Sequence, residues 1–387
     1  MKPRIRIGLN YSYSKNWIGG LLYAQNLVRA LNKLDDKYKP YIDVYCKDEL
    51  MYEDLNNKTG YPYLNLVIIK NNTFMKMLFR TIVGVLFGNI AKANVNLFKI
   101  LPEDEMIYSL GFGSQTEKLV YWQPDFQEKH LPEYFKEREL KHRDATIRMI
   151  AERGIPMVFS SHDSENDFKK FYPEYNNKTF VVHFAVFHDD RRVANIDDVK
   201  KKYNIKGDYL LCANQFWKHK NHLFLFKAFQ KALKKGLNKQ LVCTGRMADY
   251  RNPGYIDEIN EFLDQGDLKE RIILTGLIEY DELHSLIANA YAVVQPSLFE
   301  GWNTTVEDCK AMNKYIFLSN LPVHREQIQK NVCFFDPYRE DDLVEKLLTV
   351  KPVVEPYDYT NNLLKFGEDF YNVIRYVSKR KLDKEES

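Results

Sequence analysis

Two carboxylates separated by seven residues, Glu300 and Asp308, stand in the segment SLFEGWNTTVED. An apolar strand comes before this segment, Gly301 provides a turn, and the hydroxyl and amide residues that follow are typical of a helix start. Glu300 can accept hydrogen bonds from sugar hydroxyls, and Asp308 can accept a pair of them from a ribose. The order of strand, turn and helix therefore predicts a site for an anion and a sugar.

The start of the predicted helix supplies backbone donors as well. The first N–H groups of a helix have no intrahelical partners, and the helix dipole favours negative charge there. The amides of Trp302, Asn303 and Thr304 are therefore expected to bind phosphate or sugar oxygens. The alternative is structural, with Glu300 as an ordinary turn residue and Asp308 as a solvated residue of the helix.

Two further strand-to-helix junctions carry groups suited to phosphate. Gly19 and Gly20 are predicted between the first strand and the first helix, where glycine allows a phosphate to approach the backbone. Their pattern is not GxGxxG, so a plain structural turn is the alternative. Lys218, His219 and Lys220 follow the strand YLLCANQ and precede a helix. A cation at this position can neutralise a diphosphate, and a solvated charge cluster is the alternative.

The composition limits the class of protein. The 387 residues suggest two domains, and 45% apolar with 28% charged residues predicts a globular protein. A net charge of +3 is too small to imply a nucleic-acid partner by itself. Five widely spaced cysteines fit neither a disulfide framework nor a zinc site, which favours a reducing cytoplasm. The N-terminus predicts a strand rather than a signal peptide, and no apolar run has the length of about 18 residues that a membrane span needs.

Short apolar strands alternate with helical segments, which predicts an α/β protein with two doubly wound, Rossmann-like parallel sheets. The pattern predicts helices over 21–31, 222–233, 256–263, 281–290, 304–312, 341–348 and 361–377. The domains are expected at 1–190 and 207–358, with a charged linker over 191–206. The final helix, within 359–387, is expected to return to the first domain. In such folds the strand ends of both sheets face one cleft.

The segment PSLFEGWNTTVEDCKAMNKYIFLSNLPVHREQI strongly resembles the signature region of retaining glycosyltransferases of family 4. The resemblance extends through GLIEYDELHSLIANA, NQFWKHKNH and WIGGLLYAQNL, and more weakly through WQPDFQEKHLPEYF. It implies the GT-B fold, in which two Rossmann-like domains face a central cleft, with nucleotide diphosphate sugars as donors. It implies neither a cofactor nor a metal. The absence of any D-x-D motif from the sequence agrees with that expectation.

The resemblance also assigns roles to individual residues. Glu300 contacts the transferred sugar, Asp308 holds the ribose and Lys220 binds the diphosphate, while Gly19 and Gly20 face the phosphates from the first domain. The predicted catalytic residues are Glu300, Lys220 and Asp125. The predicted donor-binding residues are Gly19, Gly20, Gln215, Lys220, Gly301, Trp302, Asn303, Thr304 and Asp308. The predicted nucleoside region contains Gly245, Arg246, Leu277 and Ile278.

Two positions of the donor site depart from the family pattern. The second acid is Asp308 rather than the commoner Glu, which shortens its reach by one methylene group. Gln215 stands where a basic residue is usual, five residues before Lys220. This substitution removes one positive charge from the expected diphosphate site.

A third departure lies in the first domain. Pro124 precedes Asp125, where the family commonly has a His before the Asp. The role of that His is then vacant or is filled by another residue, such as His130 or His162.

The expected function is transfer of a hexosyl-type sugar to a glycan or lipid-linked acceptor in surface polysaccharide synthesis. A different GT-B enzyme, such as a nucleotide-sugar epimerase or a phosphorylase, and a non-catalytic nucleotide-sugar-binding subunit are the alternatives. The apolar segment 74–100 carries four cations, so it could contact an anionic membrane, and a core-facing helix is the alternative. The predicted location is the cytoplasm, either free or at the inner face of the membrane.

Overall fold

The computed structural model describes residues 4–11, 18–69, 101, 103–109, 118–188, 193–264 and 268–385. These residues form two parallel β-sheets, which confirms the prediction of an α/β protein with two doubly wound domains. The apolar segment 74–100, for which membrane contact was one expectation, lies outside the described residues.

The first sheet contains seven parallel strands in the order β3-β2-β1-β4-β5-β6-β7. Its strands are β1 (Arg6–Asn10), β2 (Tyr41–Cys46), β3 (Leu64–Ile68), β4 (Met106–Ser109), β5 (Leu119–Gln123), β6 (Met157–Phe159) and β7 (Thr179–Val181). The α-helices of this part are α1 (Ile18–Asn32), α2 (Glu49–Thr59), α3 (Gln127–His130), α4 (Glu137–Glu152) and α5 (His162–Phe171). The strand order changes direction between β1 and β4, and ligands of such sheets bind beside the carboxyl ends of the strands at that point.

The second sheet contains six parallel strands in the order β10-β9-β8-β11-β12-β13. Its strands are β8 (Tyr209–Ala213), β9 (Gln240–Thr244), β10 (Ile272–Gly276), β11 (Ala292–Gln295), β12 (Ile316–Ser319) and β13 (Val332–Phe335). The later helices are α6 (Ile196–Lys202), α7 (His222–Lys234), α8 (Tyr255–Asp264), α9 (Tyr280–Asn289), α10 (Thr304–Ala311), α11 (Pro322–Gln327), α12 (Glu340–Thr349) and α13 (Thr360–Glu385). The change of direction lies between β8 and β11.

The central strands bury side chains on both faces of their sheets, as expected for strands covered by helices on two sides. Leu210 and Cys212 of β8 pack into one apolar cluster, while Tyr209 and Leu211 pack into another. Because side chains alternate along a strand, these two clusters lie on opposite faces of the sheet. Both faces are occupied by core, so polar functional side chains are placed at the ends of the strands.

The last helix, α13, packs on the first domain although it follows the second domain in sequence. Phe366, Phe370 and Ile374 of α13 are fully buried in the same apolar cluster as Leu27 and Leu31 of α1. Burying side chains of this size stabilises the contact by roughly 1.5–3 kcal/mol each. The chain therefore crosses between the domains twice.

Most predicted helices of the second domain begin and end within one residue of the observed helices. One prediction needs correction. Helix α1 begins at Ile18, so Gly19 and Gly20 lie in its first turn rather than in a turn before it. The low helix propensity of glycine is least costly in such a terminal turn. The predicted linker over 191–206 includes helix α6. The Asn195 side chain caps the N-terminus of α6 by accepting hydrogen bonds from two backbone N–H groups.

Replacing Gly367 with Ala tests the close approach of α13 to α1. A Cβ atom at Gly367 would lie 2.5 Å from the carbonyl oxygen of Ala30. We expect urea denaturation to show a loss of about 1–3 kcal/mol in unfolding free energy, because the two helices must separate. Gly254→Ala is the matched control, since nothing lies within 4 Å of its added Cβ. Equal unfolding midpoints for the two variants would contradict this contact.

Candidate active site

A cleft of about 2110 Å³ lies between the two domains, and residues from both of them line it. It includes residues at the carboxyl ends of β1 and β8, where the strand order of each sheet changes direction. The predicted site residues that line it are Gly19, Asp125, Gln215, Lys220, Gly245, Leu277, Ile278, Glu300, Trp302, Asn303, Thr304 and Asp308. Gly20, Arg246 and Gly301, also predicted, are not among the residues that line it.

Lys220 and Glu300 form an ion pair inside the cleft. The Lys220 Nζ lies 2.6 Å from the Glu300 Oε1, and both side chains are more than four-fifths buried. Lys220 ends a short 3-10 turn that is held beside the Glu300 loop, because the Leu298 backbone N–H donates to the His219 carbonyl over 2.8 Å. Burial and the Lys220 charge hold the pKa of His219 well below its ordinary value, so that imidazole is neutral.

Asn303 joins Glu300 to the start of α10. Its Nδ2 donates to the Glu300 Oε1 over 2.9 Å, and its Oδ1 accepts from the Val306 backbone N–H over 3.1 Å. The second bond is a helix N-cap, so one residue both begins the helix and orients the carboxylate. Gln295, at the end of β11, adds a hydrogen bond of 3.2 Å from its Nε2 to the Asn303 Oδ1.

The backbone amide of Asn303, which was expected to bind a ligand oxygen, has a partner within the protein. The amide donates to the Gln327 Oε1 over 3.1 Å, and the Gln327 Nε2 donates back to the Asn303 carbonyl over 2.8 Å. Gln327 ends α11, 24 residues further along the chain, so no local pattern could indicate this partner. The Asn303 side chain still lines the cleft.

Glu307 of α10 is a buried acid with a structural role. Its carboxylate accepts hydrogen bonds from Lys310 Nζ over 2.8 Å, from Gln327 Nε2 over 3.0 Å and from the Tyr359 hydroxyl. The Tyr359 hydroxyl in turn accepts from the Val186 backbone N–H over 2.9 Å. Burial and the Glu307 charge raise the pKa of Tyr359 well above its ordinary value, which keeps it a donor. Helix α10 is thereby tied to both crossings between the domains.

Asp308 is only 4% exposed, which excludes the alternative of a solvated helix residue. The His188 Nε2 lies 3.3 Å from the Asp308 Oδ1. His284 packs beside His188 with ring centroids 4.3 Å apart, and the Tyr280 ring packs on His284 at 3.9 Å. Neither histidine was predicted as a site residue, because a single His in a charged stretch and another inside a helix carry no local motif.

The first domain meets the loop between β11 and α10 at Gly301. A Cβ atom at Gly301 would lie 2.4 Å from the Pro124 carbonyl oxygen and 2.6 Å from the Asp125 Cβ, so glycine is required. Burial raises the pKa of Asp125, and the Glu300 charge raises it further, against the opposing hydrogen bond from the Gln127 backbone N–H. The predicted catalytic residue of the first domain therefore lies next to the loop that carries Glu300.

Neither His130 nor His162, the two candidates for the vacant histidine role, lines the cleft. The His130 Nε2 pairs with the Asp167 Oδ2 at 2.7 Å, and this hydrogen bond raises the pKa of His130. The His162 side chain is 65% exposed and lies 3.8 Å from Glu165. The structure therefore brings neither of them to Asp125 in the described cleft.

The predicted nucleoside region lies at the ends of β8, β9 and β10. Gly245 has a φ of +131°, and a Cβ atom there would lie 2.1 Å from the Asn214 carbonyl oxygen, so this crossing of backbones requires glycine. Gln215 accepts a hydrogen bond of 2.8 Å from the Trp217 indole N–H. Leu277 is 65% exposed and presents an apolar surface to the cleft.

Glu326 of α11 joins the second domain to the N-terminus of α5 in the first. Its carboxylate accepts from the backbone N–H groups of His162 and Asp163 over 2.8 and 3.2 Å, and it pairs with the His183 Nε2 at 2.6 Å. Negative charge is favoured at a helix N-terminus. Burial alone would raise the pKa of Glu326, but these hydrogen bonds outweigh it and hold the pKa below its ordinary value.

Trp302 makes a second connection between the domains. Its indole N–H donates to the Phe184 carbonyl over 3.1 Å, and its ring stacks on His183 with centroids 4.3 Å apart and planes 6° apart. The Trp302 side chain therefore holds the loop between β11 and α10 against the first domain. At another point Arg251 of the second domain pairs with Glu139 of the first at 3.3 Å.

The fold class of this protein follows from these features and from its similarity to known proteins. Residues 195–351, which include the second sheet, match the family described as glycosyl transferases group 1. This part of the chain carries Lys220, Glu300 and Asp308. The two parallel sheets on either side of the cleft, together with the likeness to solved glycosyltransferases, show the GT-B fold.

Individual relatives are distant. The chain is 23% identical over 232 residues to the O-antigen chain mannosyltransferase RfbU of Salmonella typhimurium, and the match spans 60% of each protein. HepE from Anabaena, solved in complex with UDP and glucose, has a TM-score of 0.63 at 12% identity, with coverage of 99% of this chain and 100% of HepE. WaaG, a glycosyltransferase involved in lipopolysaccharide biosynthesis, has a TM-score of 0.58 at 13% identity, with coverage of 98% and 99%. At these identities the structural likeness shows the fold alone.

One structural property bears on membrane association. Among the helices in the described residues, none has the length and apolarity needed to cross a membrane.

Glu326→Gln tests the connection between the domains. Because the pKa of Glu326 is lowered in the folded state, its stabilisation is present above the unfolded pKa of about 4.3 and is lost as the pH falls through the folded pKa. We expect the variant to lose about 1–3 kcal/mol of unfolding free energy at pH 7, and this difference to shrink below about pH 4. Urea denaturation at both pH values measures it. The exposed Glu355→Gln is the control, and a pH-independent difference would contradict the pairing.

Proposed function

We propose that this protein is a glycosyltransferase that moves a hexosyl-type sugar, with retention of configuration, from a nucleotide diphosphate sugar to a glycan or lipid-linked acceptor. The observation that carries the proposal is the buried Lys220–Glu300 pair in a cleft between two GT-B domains. The match of residues 195–351 to glycosyl transferases group 1 supports it. The names of RfbU and WaaG support an acceptor in surface polysaccharide synthesis.

The Lys220–Glu300 pair suits a site that must receive both an anion and a sugar. Two mostly buried charges that neutralise each other avoid the cost of an unpaired buried charge before the donor binds. When the donor enters, Lys220 turns to the diphosphate and Glu300 accepts hydrogen bonds from the sugar hydroxyls. Asn303 retains its hydrogen bond to Glu300 through this exchange and keeps the carboxylate in place.

In the chemical step the acceptor hydroxyl oxygen bonds to the anomeric carbon of the sugar while the bond from that carbon to the diphosphate breaks. The hydroxyl proton passes to the departing diphosphate. Negative charge then grows on the leaving diphosphate, and Lys220 stabilises it more strongly in the transition state than in the bound donor. This difference in binding is what lowers the barrier. In this proposal protein groups alone neutralise the negative charge of the leaving diphosphate. The mechanism is therefore independent of metal ions and needs no cofactor.

Asp308 is proposed to hold the ribose, with Gly245, Leu277 and Ile278 beside the base. All four line the same cleft as Lys220. A buried carboxylate can accept two hydroxyl hydrogen bonds at once, and each charge-assisted bond is worth about 1.5–3 kcal/mol. The shorter Asp in place of Glu requires the ribose to lie closer to α10.

Asp125 is proposed to act from the first domain on the sugar or on the incoming hydroxyl. Its contact with Gly301 places it beside the loop that carries Glu300. The raised pKa of Asp125 favours its protonated form more than that of an exposed Asp, which suits a hydrogen bond to a sugar oxygen. Contact of residues 74–100 with an anionic membrane remains a prediction for the acceptor side.

The function is tested by incubating the protein with nucleotide sugars that carry mannose or glucose, with and without glycan acceptors. A glycosyltransferase releases nucleotide diphosphate slowly into water and faster with its acceptor. An epimerase converts the sugar without releasing the nucleotide, and a phosphorylase requires phosphate. A non-catalytic binding subunit binds the donor and leaves it intact, which would refute the proposal.

The two acids are expected to respond differently to loss of charge. Glu300→Gln should lower kcat more than it weakens binding of the free nucleotide diphosphate, because Glu300 contacts the transferred sugar. Asp308→Asn should weaken nucleotide binding itself by about 1–3 kcal/mol. Calorimetry and initial rates measure the two effects, with the exposed Asp341→Asn as control. Unchanged nucleotide affinity and turnover in both site variants would show that a different pocket binds the donor.

Chelation provides a separate test of the metal-free mechanism. We expect EDTA to change the initial rate by less than a few-fold, because Lys220 and the start of α10 are proposed to meet the diphosphate charge. Rates are compared before and after dialysis against EDTA. Complete loss of activity that Mg²⁺ or Mn²⁺ restores would contradict this part of the proposal.

A further inference from the structure

Three side chains with metal-binding chemistry meet beside the proposed ribose position. His188, His284 and Asp308 each present one ligand atom, and these atoms lie within 4.8 Å of one another. The His188 Nε2 is 3.3 Å from the Asp308 Oδ1. The other ring nitrogen of His188, Nδ1, lies 3.4 Å from the His284 Nδ1, so this contact holds the two rings side by side. The three residues come from three different parts of the chain and are brought together only by the fold.

The spacing suits a borderline divalent transition ion. Zn²⁺ binds imidazole nitrogen and carboxylate oxygen at about 2.0–2.2 Å in tetrahedral sites, which places neighbouring ligand atoms roughly 3.3–3.5 Å apart. The distance between His188 and Asp308 falls in this range. Two imidazoles and one carboxylate form a ligand set that Zn²⁺ and similar ions prefer over Mg²⁺ or Ca²⁺.

Two of the ligand atoms also lack the hydrogen bonds that burial demands. The His188 Nε2 and the Asp308 Oδ1 are both buried, and neither makes a hydrogen bond within the part of the chain that the structure describes. The Asp308 side chain is 6% exposed. A buried carboxylate oxygen without a donor is costly, and an ion or a hydroxyl between these two atoms would satisfy both of them.

We propose that His188, His284 and Asp308 form a regulatory site for Zn²⁺ or a similar transition ion, and that the bound ion excludes the nucleotide of the donor. The ion takes the Asp308 carboxylate, which is the group proposed to hold the ribose. The second part of this inference therefore rests on the proposed function, whereas the metal site itself does not. The ion takes no part in sugar transfer, so the site is compatible with a metal-free reaction.

A second cluster, also made of two histidines and one carboxylate, serves as an internal comparison. His162, His183 and Glu326 also lie within 4.8 Å of one another. There the Glu326 carboxylate already accepts hydrogen bonds from two backbone N–H groups and pairs with His183 at 2.6 Å. The His162 side chain is 65% exposed. An ion at this cluster would have to displace satisfied bonds, so it binds more weakly than at Asp308.

Direct metal binding tests the site without any assay of activity. Tag-free protein is titrated with Zn²⁺ in competition with a coloured chelator, and we expect one ion per chain. Co²⁺ in place of Zn²⁺ should give the visible absorption bands of a tetrahedral site. Absence of both signals would overturn the proposal.

Zn²⁺ affinities of single-residue variants test which side chains bind the ion. His188→Ala and Asp308→Asn should each weaken Zn²⁺ binding by at least about tenfold, since even changes to residues around a metal site cost about 10–100-fold. His162→Ala is the matched control and should leave the affinity unchanged. Circular dichroism checks that each variant is folded. Loss of binding in His162→Ala but not in His188→Ala would move the site to the other cluster and overturn the proposal.

Competition with nucleotide tests the regulatory part. Raising free Zn²⁺ should raise the apparent Kd for nucleotide diphosphate in the unaltered protein, and the same Zn²⁺ should have little effect in His188→Ala. That variant also corrects for Zn²⁺ held by the diphosphate in solution. Zn²⁺ binding without any nucleotide binding to the metal-free protein would refute the proposed function and leave the metal site standing. Nucleotide binding that Zn²⁺ does not weaken would refute the competition.

Discussion

The side chain of Asn303 is the interaction on which the candidate site depends. It caps α10 through the Val306 amide, holds the Glu300 carboxylate and receives a hydrogen bond from Gln295. All of these groups are buried, and a buried polar group left without its partner costs about 1–3 kcal/mol. The Glu300 carboxylate therefore has one orientation, and that orientation faces Lys220. The start of the helix, the acid and its cation are positioned together.

Contacts between the domains use the same loop and helix as the candidate donor site. Glu307, in the middle of α10, binds the Tyr359 hydroxyl, which also accepts from the Val186 amide. Trp302 lies between Glu300 and α10 and contacts the first domain through the Phe184 carbonyl. A movement of one domain relative to the other would consequently act on the groups that face the cleft. The groups that face the cleft and the contacts that join the domains thus belong to the same loop and helix.

The sequence indicated those features that local chemistry determines. The junctions at Lys220 and at the start of α10 were predictable, because apolar strands, a turn and capping side chains are adjacent in the chain. Partners contributed by distant segments were not predictable. The Gln327 side chain accepts from the Asn303 amide, and His188 lies against Asp308. No motif in the residues around Gln327 or His188 indicates these contacts. The amides at a helix start are expected to be free, but a side chain from another helix can accept hydrogen bonds from them.

The contact between Gly301 and Pro124 at the boundary of the domains places different requirements on the two residues that make it. On the Pro124 side it is made by a main-chain carbonyl oxygen, which every residue type possesses. The contact with Gly301 therefore needs no imidazole at position 124, because the proline there retains the carbonyl oxygen that makes it. The opposite side has no such freedom, because any side chain at Gly301 would collide with the backbone it faces. The contact thus limits residue 301 to glycine through steric exclusion, whereas at residue 124 it depends on the position of a main-chain oxygen.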